Sequence, residues 1–543
     1  MKPTRANLAG LALVLLLAWL FVYPVLIVAG QAADRAALSA FLHRPGEWQA
    51  LWASVWISLA SVGLAAAIGV PLAFLFEGVE FPGRRPLGAL VALPVVLPPL
   101  VGVIAFLFLY GESGLVARAV QGVLGLAHAP WRLHGAGAIL LVHAYSMYAY
   151  FYLLTRAGLA RLDGSLLEAA QALGAGPRET FTRVTLPLLR PSLAGAALLT
   201  FMTALGSFSA PYVFGGSFRV MPTQIIATRL NGDLPLAMVE TIALAGVAIV
   251  GLLVVGRAEA GQQGALVAMG KGAAPRRRAV RGGGARALAA VAGWVFAVAL
   301  LLPHLTLVLV SLVPYATWTT QALPPVLSLV NYRRLFGEVE RLAPLVNSVW
   351  MAAASTTGAV LLALVAGWLV VRRRVVTGRL LEGLLVLPWA LPGTVFAIAL
   401  ATAFSVSRPL ALRWVLVGTA VILPLAYLVR NLPVAGRAVL AGYRQLDPAL
   451  DEAAASLGAG RWATFARVTL PLLGPALAAG ASLAFVTALG DFVTSIVLYT
   501  YDTRPIAMEI LSSLRLNELG IAAAFGVILM AASATVLGIA ARR

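Results

Sequence analysis

The chain has 543 residues, 61% of them hydrophobic and only 11% charged, with 40 Lys+Arg against 21 Asp+Glu. Soluble domains average about 25% charged and about 45–50% apolar residues, so a water-soluble enzyme and a disordered chain are both excluded. The absence of cysteine removes disulfides, thiolate metal sites and cysteine nucleophiles. A net charge of +19 in so apolar a chain points to the basic ends of membrane helices, and no nucleic acid is expected as a partner.

A bilayer core is crossed by about 20 apolar residues in helix, because lipid satisfies no backbone hydrogen bond. Segments of that length predict spans over 8–30, 51–76, 87–110, 136–159, 187–209 and 236–256, then 287–313, 345–371, 380–404, 411–435, 472–499 and 519–540. The expected fold is an all-α polytopic membrane protein of about twelve transmembrane helices. The first run follows Lys2 and Arg5 and exceeds the usual signal-peptide core of about 7–15 residues, so it reads as a span. Pro94, Pro98, Pro99, Pro388 and Pro392 fall inside the third and ninth spans, where membrane helices tolerate them.

With twelve spans, Lys2, Arg5, Arg84, Arg85, Arg372, Arg373, Arg374, Arg379, Arg542 and Arg543 share one side. Lys271, Arg276, Arg277, Arg278, Arg281 and Arg286 of a central linker join them. Most acids, among them Asp34, Glu47, Glu112, Asp233, Glu338, Glu340 and Asp502, fall on the other. The positive-inside rule then predicts cytoplasmic N- and C-termini.

Residues 168–191 (EAAQALGAGPRETFTRVTLPLLRP) and 452–475 (EAAASLGAGRWATFARVTLPLLGP) align without a gap at an offset of 284. The match continues from Phe201–Gly206 to Phe485–Gly490. Upstream, Val55-Trp56 pairs with Val349-Trp350, and Pro94 and Pro98 pair with Pro388 and Pro392, at an offset of 294. The first half therefore carries ten extra residues between its third and fourth spans. Two six-span halves enter the membrane the same way round, a parallel repeat. The expected division is 1–256 as the first half, 257–286 as a basic cytoplasmic linker and 287–543 as the second half.

The repeated segments lie on the arginine-rich side, in loops expected at 160–187 and 444–471. Glu168-Ala169-Ala170 reads as a short helix with an acid in its first turn, ended by Gly174 or Gly176. A second short helix carries Phe181 and Val184 with Arg183 beside them, and Pro187 closes it at the membrane surface. Glu452, Ala453, Ala454, Gly458, Gly460, Phe465, Arg467 and Pro471 repeat the pattern. A helix–glycine–helix knob in water can dock into a partner's groove; an amphipathic hairpin resting on membrane lipid is the alternative.

The order E-A-A-x-x-L-G followed by x-F-x-x-V-x-L-P-L resembles the "EAA" loop of the permease subunits of type I binding-protein-dependent ABC importers, and it occurs twice. The resemblance implies a type I importer permease fold in a bacterial cytoplasmic (inner) membrane. Its implied partners are two copies of a cytoplasmic ABC ATPase and an extracytoplasmic substrate-binding protein. Glu168, Ala169, Ala170, Gly174, Phe181, Arg183 and Pro187, with Glu452, Ala453, Ala454, Gly458, Phe465, Arg467 and Pro471, would couple to the ATPases. Both halves on one chain are similar to the fused ferric-iron and thiamine permeases. Gly206-Ser207-Phe208, Val213-Phe214-Gly215-Gly216 and Gly490-Asp491-Phe492 look closer to the ferric-iron group, which makes ferric iron the expected cargo, with thiamine, a polyamine or an organophosphonate as alternatives.

No nucleotide-hydrolysing motif is visible: Gly264–Gly272 has five residues between its glycines where a P-loop needs four, and Gly272 where a magnesium-binding hydroxyl belongs. No cofactor or metal is expected in this chain, ATP and magnesium belonging to the partner. His43, His128, His134, His143 and His304 are scattered, and His143 reads as a packing histidine. Ionisable groups at membrane depth are costly and hence candidates for function. Asp491 is the clearest, and Arg430 and Asn431 follow. With Ser207, Tyr145, Tyr148 and Tyr212 they are the candidate substrate pathway, though mutual neutralisation of Asp491 and Arg430, or snorkelling of Arg430, explains the two charges equally. A secondary transporter also uses two parallel six-span halves, but would need no duplicated knob.

Overall fold

In the computed structural model, residues 5–95, 98–260, 278–279, 283–314, 324, 326–540 and 542 are described. Lys2, the near-P-loop segment 264–272 and the linker residues Lys271, Arg276, Arg277 and Arg281 lie outside them. The described chain is almost wholly helical. Its one sheet pairs Val79–Glu80 in parallel with Arg278–Ala279, fastening the end of the linker to the end of the second span.

Nine described helices are long and apolar enough to cross a bilayer, eleven if two sharply bent pairs each count as one span. A twelfth long helix, Ile422–Gln445, carries Arg430, Arg437 and Arg444 along its length. It corrects the span expected at 411–435. Residues 404–421 hold a short 3-10 turn and the left-handed residues Leu412, Arg413 and Gly418, and the helix begins only after them. Apolar composition extended the expected span backwards; backbone conformation ends it.

The proline-rich spans are broken. Arg84–Val91 and Pro99–Tyr110 flank a 3-10 turn at Leu93–Val95. Gly378–Ala390 and Gly393–Ala403 meet at 105°. Proline lacks the N–H that an uninterrupted helix needs and crowds the preceding turn. The ten extra residues of the first half appear as a helix, Leu115–Leu124.

The two sequence halves are interlocked. The first helix, Arg5–Gln31, packs on the second half: Leu13, Val14 and Leu17 share a core with Ala359, Leu369, Leu381 and Tyr443. Phe21 stacks on Phe396 with ring centres 5.5 Å apart. Reciprocally, Gly283–Ser311, the first helix of the second half, places Ala297 and Leu300 among Phe76, Leu87 and Tyr148 of the first. Each half thus surrenders one helix to the other.

Candidate functional site

The two repeated loops adopt one conformation twice. Gly164–Ala172 and Ala449–Ser456 are short helices. Gly174 and Gly458 follow at φ +84° and +80°, a left-handed geometry that costs residues with a Cβ about 1–2 kcal/mol. The backbone closes as a Schellman-type turn: Ala175 N–H donates to Ala170 and Ala459 N–H to Ala454, both at 3.0 Å. Asp163 caps the first helix through Ser165 N–H, so Glu168 lies beyond the first turn, whereas Glu452 stands within its own. Both glutamates are exposed. Leu173 and its repeat mate Leu457 are each 89% exposed. The same apolar side chain is thus left exposed at the same point of the turn in both copies. Trp462 stands out from the second knob at 77% exposure.

Phe181 and Arg183 begin the stem of the first knob. Phe181 packs edge-on against Phe74, 5.6 Å between ring centres, and Arg183 pairs with Glu179 at 2.6 Å. In the second, Phe465 packs against Trp462, Arg467 is exposed, and Arg372 reaches Asp451 at 3.3 Å. Pro187 does not end a helix as expected. Pro177–Leu205 is continuous, because a π-turn at Phe181–Thr185 shifts the backbone pairing that proline would break. Pro471 follows an equivalent π-turn at Phe465–Thr469, but there the helix bends by 66° before Gly474, where the first half has Arg190.

At the far ends of these helices the halves meet. Gly206 lies against Pro392 and its mate Gly490 against Pro98, one reciprocal contact repeated across the pseudo-two-fold axis. Phe208 and its mate Phe492 face each other at 5.7 Å, with Tyr212 stacked on Phe208 at 5.3 Å. Both phenylalanines are buried. They form an apolar plug between the halves. Beside it the halves differ in polarity. Ser207 bonds His143 Nε2 at 2.9 Å, and His143 Nδ1 bonds Ser61 at 2.8 Å. Since Ser61 donates its proton to the Ile57 carbonyl, Nδ1–H donates to Ser61 and Nε2 accepts from Ser207. In the second half Asp491 replaces Ser207. It accepts from Thr494 N–H at 2.7 Å and pairs with Arg430 at 3.6 Å.

Among the candidate pathway residues, Ser207, Asp491, Arg430 and Tyr212 gather around the plug. Asn431 accepts from Thr487 and donates to the Tyr427 carbonyl. Tyr145 and Tyr148 spend their hydroxyls on the Leu300 and Val91 carbonyls, in the seam with the exchanged helix. Sequence reasoning quoted Leu173 and Leu457 within the repeated motif and Phe208 and Phe492 within the segments likened to the ferric-iron group, but gave none of the four a place in a site; the signal was available, because each is an identical pair under the repeat.

Two six-helix halves, each carrying the same knob and meeting at a buried aromatic contact, have the architecture of a duplicated membrane permease. The chain belongs to the family described as the binding-protein-dependent transport system inner membrane component, matched over residues 68–258 and 359–543. It is 30% identical over 498 residues to the "Probable ABC transporter permease protein y4fN" of Sinorhizobium fredii, covering 91% of this chain and 87% of that one. It is 30% identical over 445 residues to the ferric transport system permease protein of Actinobacillus pleuropneumoniae, covering 81% and 63% of the two chains. A molybdenum transport system permease protein of Mycobacterium bovis is 33% identical over 216 residues, 39% of this chain and 80% of that one.

Proposed function

We propose that this chain is the whole transmembrane core of an ABC uptake transporter, with ferric iron as cargo. Two cytoplasmic ATPases grip the knobs at 160–187 and 444–471, and a binding protein delivers cargo at the opposite face. ATP-driven closure of the ATPases rocks the halves about the plug and gives alternating access. Hydrolysis belongs to the partners; this chain supplies path and lever.

The observation that carries this reading is the pair of matched knobs ending in Leu173 and Leu457. Six membrane crossings separate them, which puts both on one side, and one rigid body closing beneath each can move both halves together. The likeness to a ferric permease over most of the chain supports iron; the partial likeness to a molybdenum permease supports molybdate as the rival cargo.

The test is co-purification with the ATPase produced alongside, together with ATP-driven uptake in proteoliposomes holding the binding protein. Changing Glu168 and Glu452 together to alanine is expected to lower both at least about tenfold while thermal unfolding is unchanged, the usual scale for removing central anchors. Full uptake in that variant would refute the lever. Competition between radiolabelled iron and molybdate decides the cargo.

A further inference from the structure

One crossing away from the second knob, hence at the opposite end of the bundle, an open cavity of about 390 Å³ has Tyr499, Thr500, Tyr501, Arg504, Ser512 and Arg515 in its lining. Two guanidinium groups face one space that no carboxylate lines. Arg504 lies over the Tyr501 ring at 5.3 Å, and one edge of it meets Glu509 at 3.0 Å. Arg515 lies over the Tyr212 ring at 5.6 Å; among the described residues no carboxylate comes within 4 Å of it. Stacking on the ring face leaves the guanidinium edge, where its donors are, free to point elsewhere. Tyr212 is the ring stacked on the plug residue Phe208, so the cavity adjoins the plug.

The arrangement is not a by-product of the duplication. Ser54 caps the backbone N–H of Met221 as Ser348 caps that of Ile506, which sets the register of this segment at an offset of 285. In that register Arg504 matches Arg219, but Arg515 matches Leu230 and Ser512 matches Ala227. The first half's own second arginine, Arg229, falls one position earlier, opposite Leu514; an arginine at the position of Arg515 and a hydroxyl at that of Ser512 occur in the second half alone.

We propose that this cavity is the site where cargo first rests on the permease, and that what it takes is an oxygen-rich anion: a small oxyanion, or the carboxylate shell of a chelated metal. Planar guanidinium forks suit such groups, which accept paired N–H donors, while Ser512, Thr500 and the tyrosine hydroxyls complete a polar shell. A bare trivalent cation would be repelled. The inference rests on the permease reading and sharpens it: iron would pass as an anionic chelate.

Equilibrium dialysis of the full chain in nanodiscs against radiolabelled molybdate, phosphate, citrate and ferric citrate tests this without ATPase or binding protein. At least one anion is expected to bind, about tenfold more weakly in Arg515→Gln, with much of the affinity restored in Arg515→Lys. Arg515 is exposed, so folding is preserved, which thermal unfolding verifies. Molybdate or phosphate binding identifies a free oxyanion, and citrate binding with or without iron identifies the chelate shell. Binding of none of the four, or undiminished binding in Arg515→Gln, overturns the proposal. The Glu168/Glu452 double variant should bind anion normally; in the wild-type chain, anion binding without ATPase co-purification removes the permease reading alone, and ATP-driven uptake without anion binding removes this site alone.

Discussion

Among single residues, Asp491 and Arg430 illustrate what burial does to charge. Asp491 is nearly buried and Arg430 about one third exposed, with side-chain exposures of 10% and 32%. Asp491→Asn strips the guanidinium of its counter-charge, and a cost of about 1–3 kcal/mol follows, between the values for exposed and for buried pairs. The measurement is thermal unfolding in detergent, and Arg430→Gln added to Asp491→Asn should recover part of the loss. Equal unfolding temperatures for wild type and Asp491→Asn would mean the pair contributes nothing. Glu509 is the second case. Burial pushes its carboxyl above the usual range and Glu518 adds to this, while Arg504 and Arg341 oppose it. An acid so raised contributes stability that is present below its unfolded pKa and fades as pH rises through the folded one. Its protonation also releases Arg504. Anion affinity of the cavity should therefore rise as pH falls through the Glu509 titration, and Glu509→Gln should be flat in pH and bind at least as tightly as wild type does at low pH.

Elements show where composition stops being informative. Apolar length alone located most spans, because a helix that faces lipid needs nothing else. It misplaced the tenth, since Ile422–Gln445 carries three arginines that a composition rule rejects: Arg430 pairs with Asp491 inside the bundle, while Arg437 and Arg444 are exposed. It also read Pro187 as a stop, when a π-turn absorbs the proline. The knobs were better foreseen: glycine at a left-handed position is written into the sequence, and two copies in register said that the turn matters. Gly458→Val should cost about 1–2 kcal/mol locally and reduce ATPase co-purification with the membrane core intact, whereas Gly460→Ala, at an extended φ of −67°, should be tolerated. Leu173→Asp with Leu457→Asp should abolish co-purification while leaving the unfolding temperature unchanged, because side chains 89% exposed contribute almost nothing to the folded chain alone.

For the whole molecule, the seam between the halves is the decisive structure. A Cβ on Gly490 would lie 2.5 Å from Pro98, whereas one on Gly206 would lie 3.5 Å from Pro392. Gly490→Ala should therefore cost more than Gly206→Ala, about 1–3 kcal/mol for forced overpacking against little for ordinary contact, as read by unfolding temperature. Equal effects would contradict the seam as drawn. The repeat, the count of halves and the two knobs could all be read along the chain, because each depends on local composition or on spacing. The exchange of first helices, the breaks at the prolines, the meeting of Phe208 with Phe492 and the gathering of Arg504 and Arg515 around one cavity could not. Those depend on which apolar surfaces find each other, and a chain with nearly every helix apolar on all sides carries no periodic mark of its neighbours. Sequence determined that this protein is a duplicated membrane permease; only the packing decided where its halves touch, and therefore where a path between them can open.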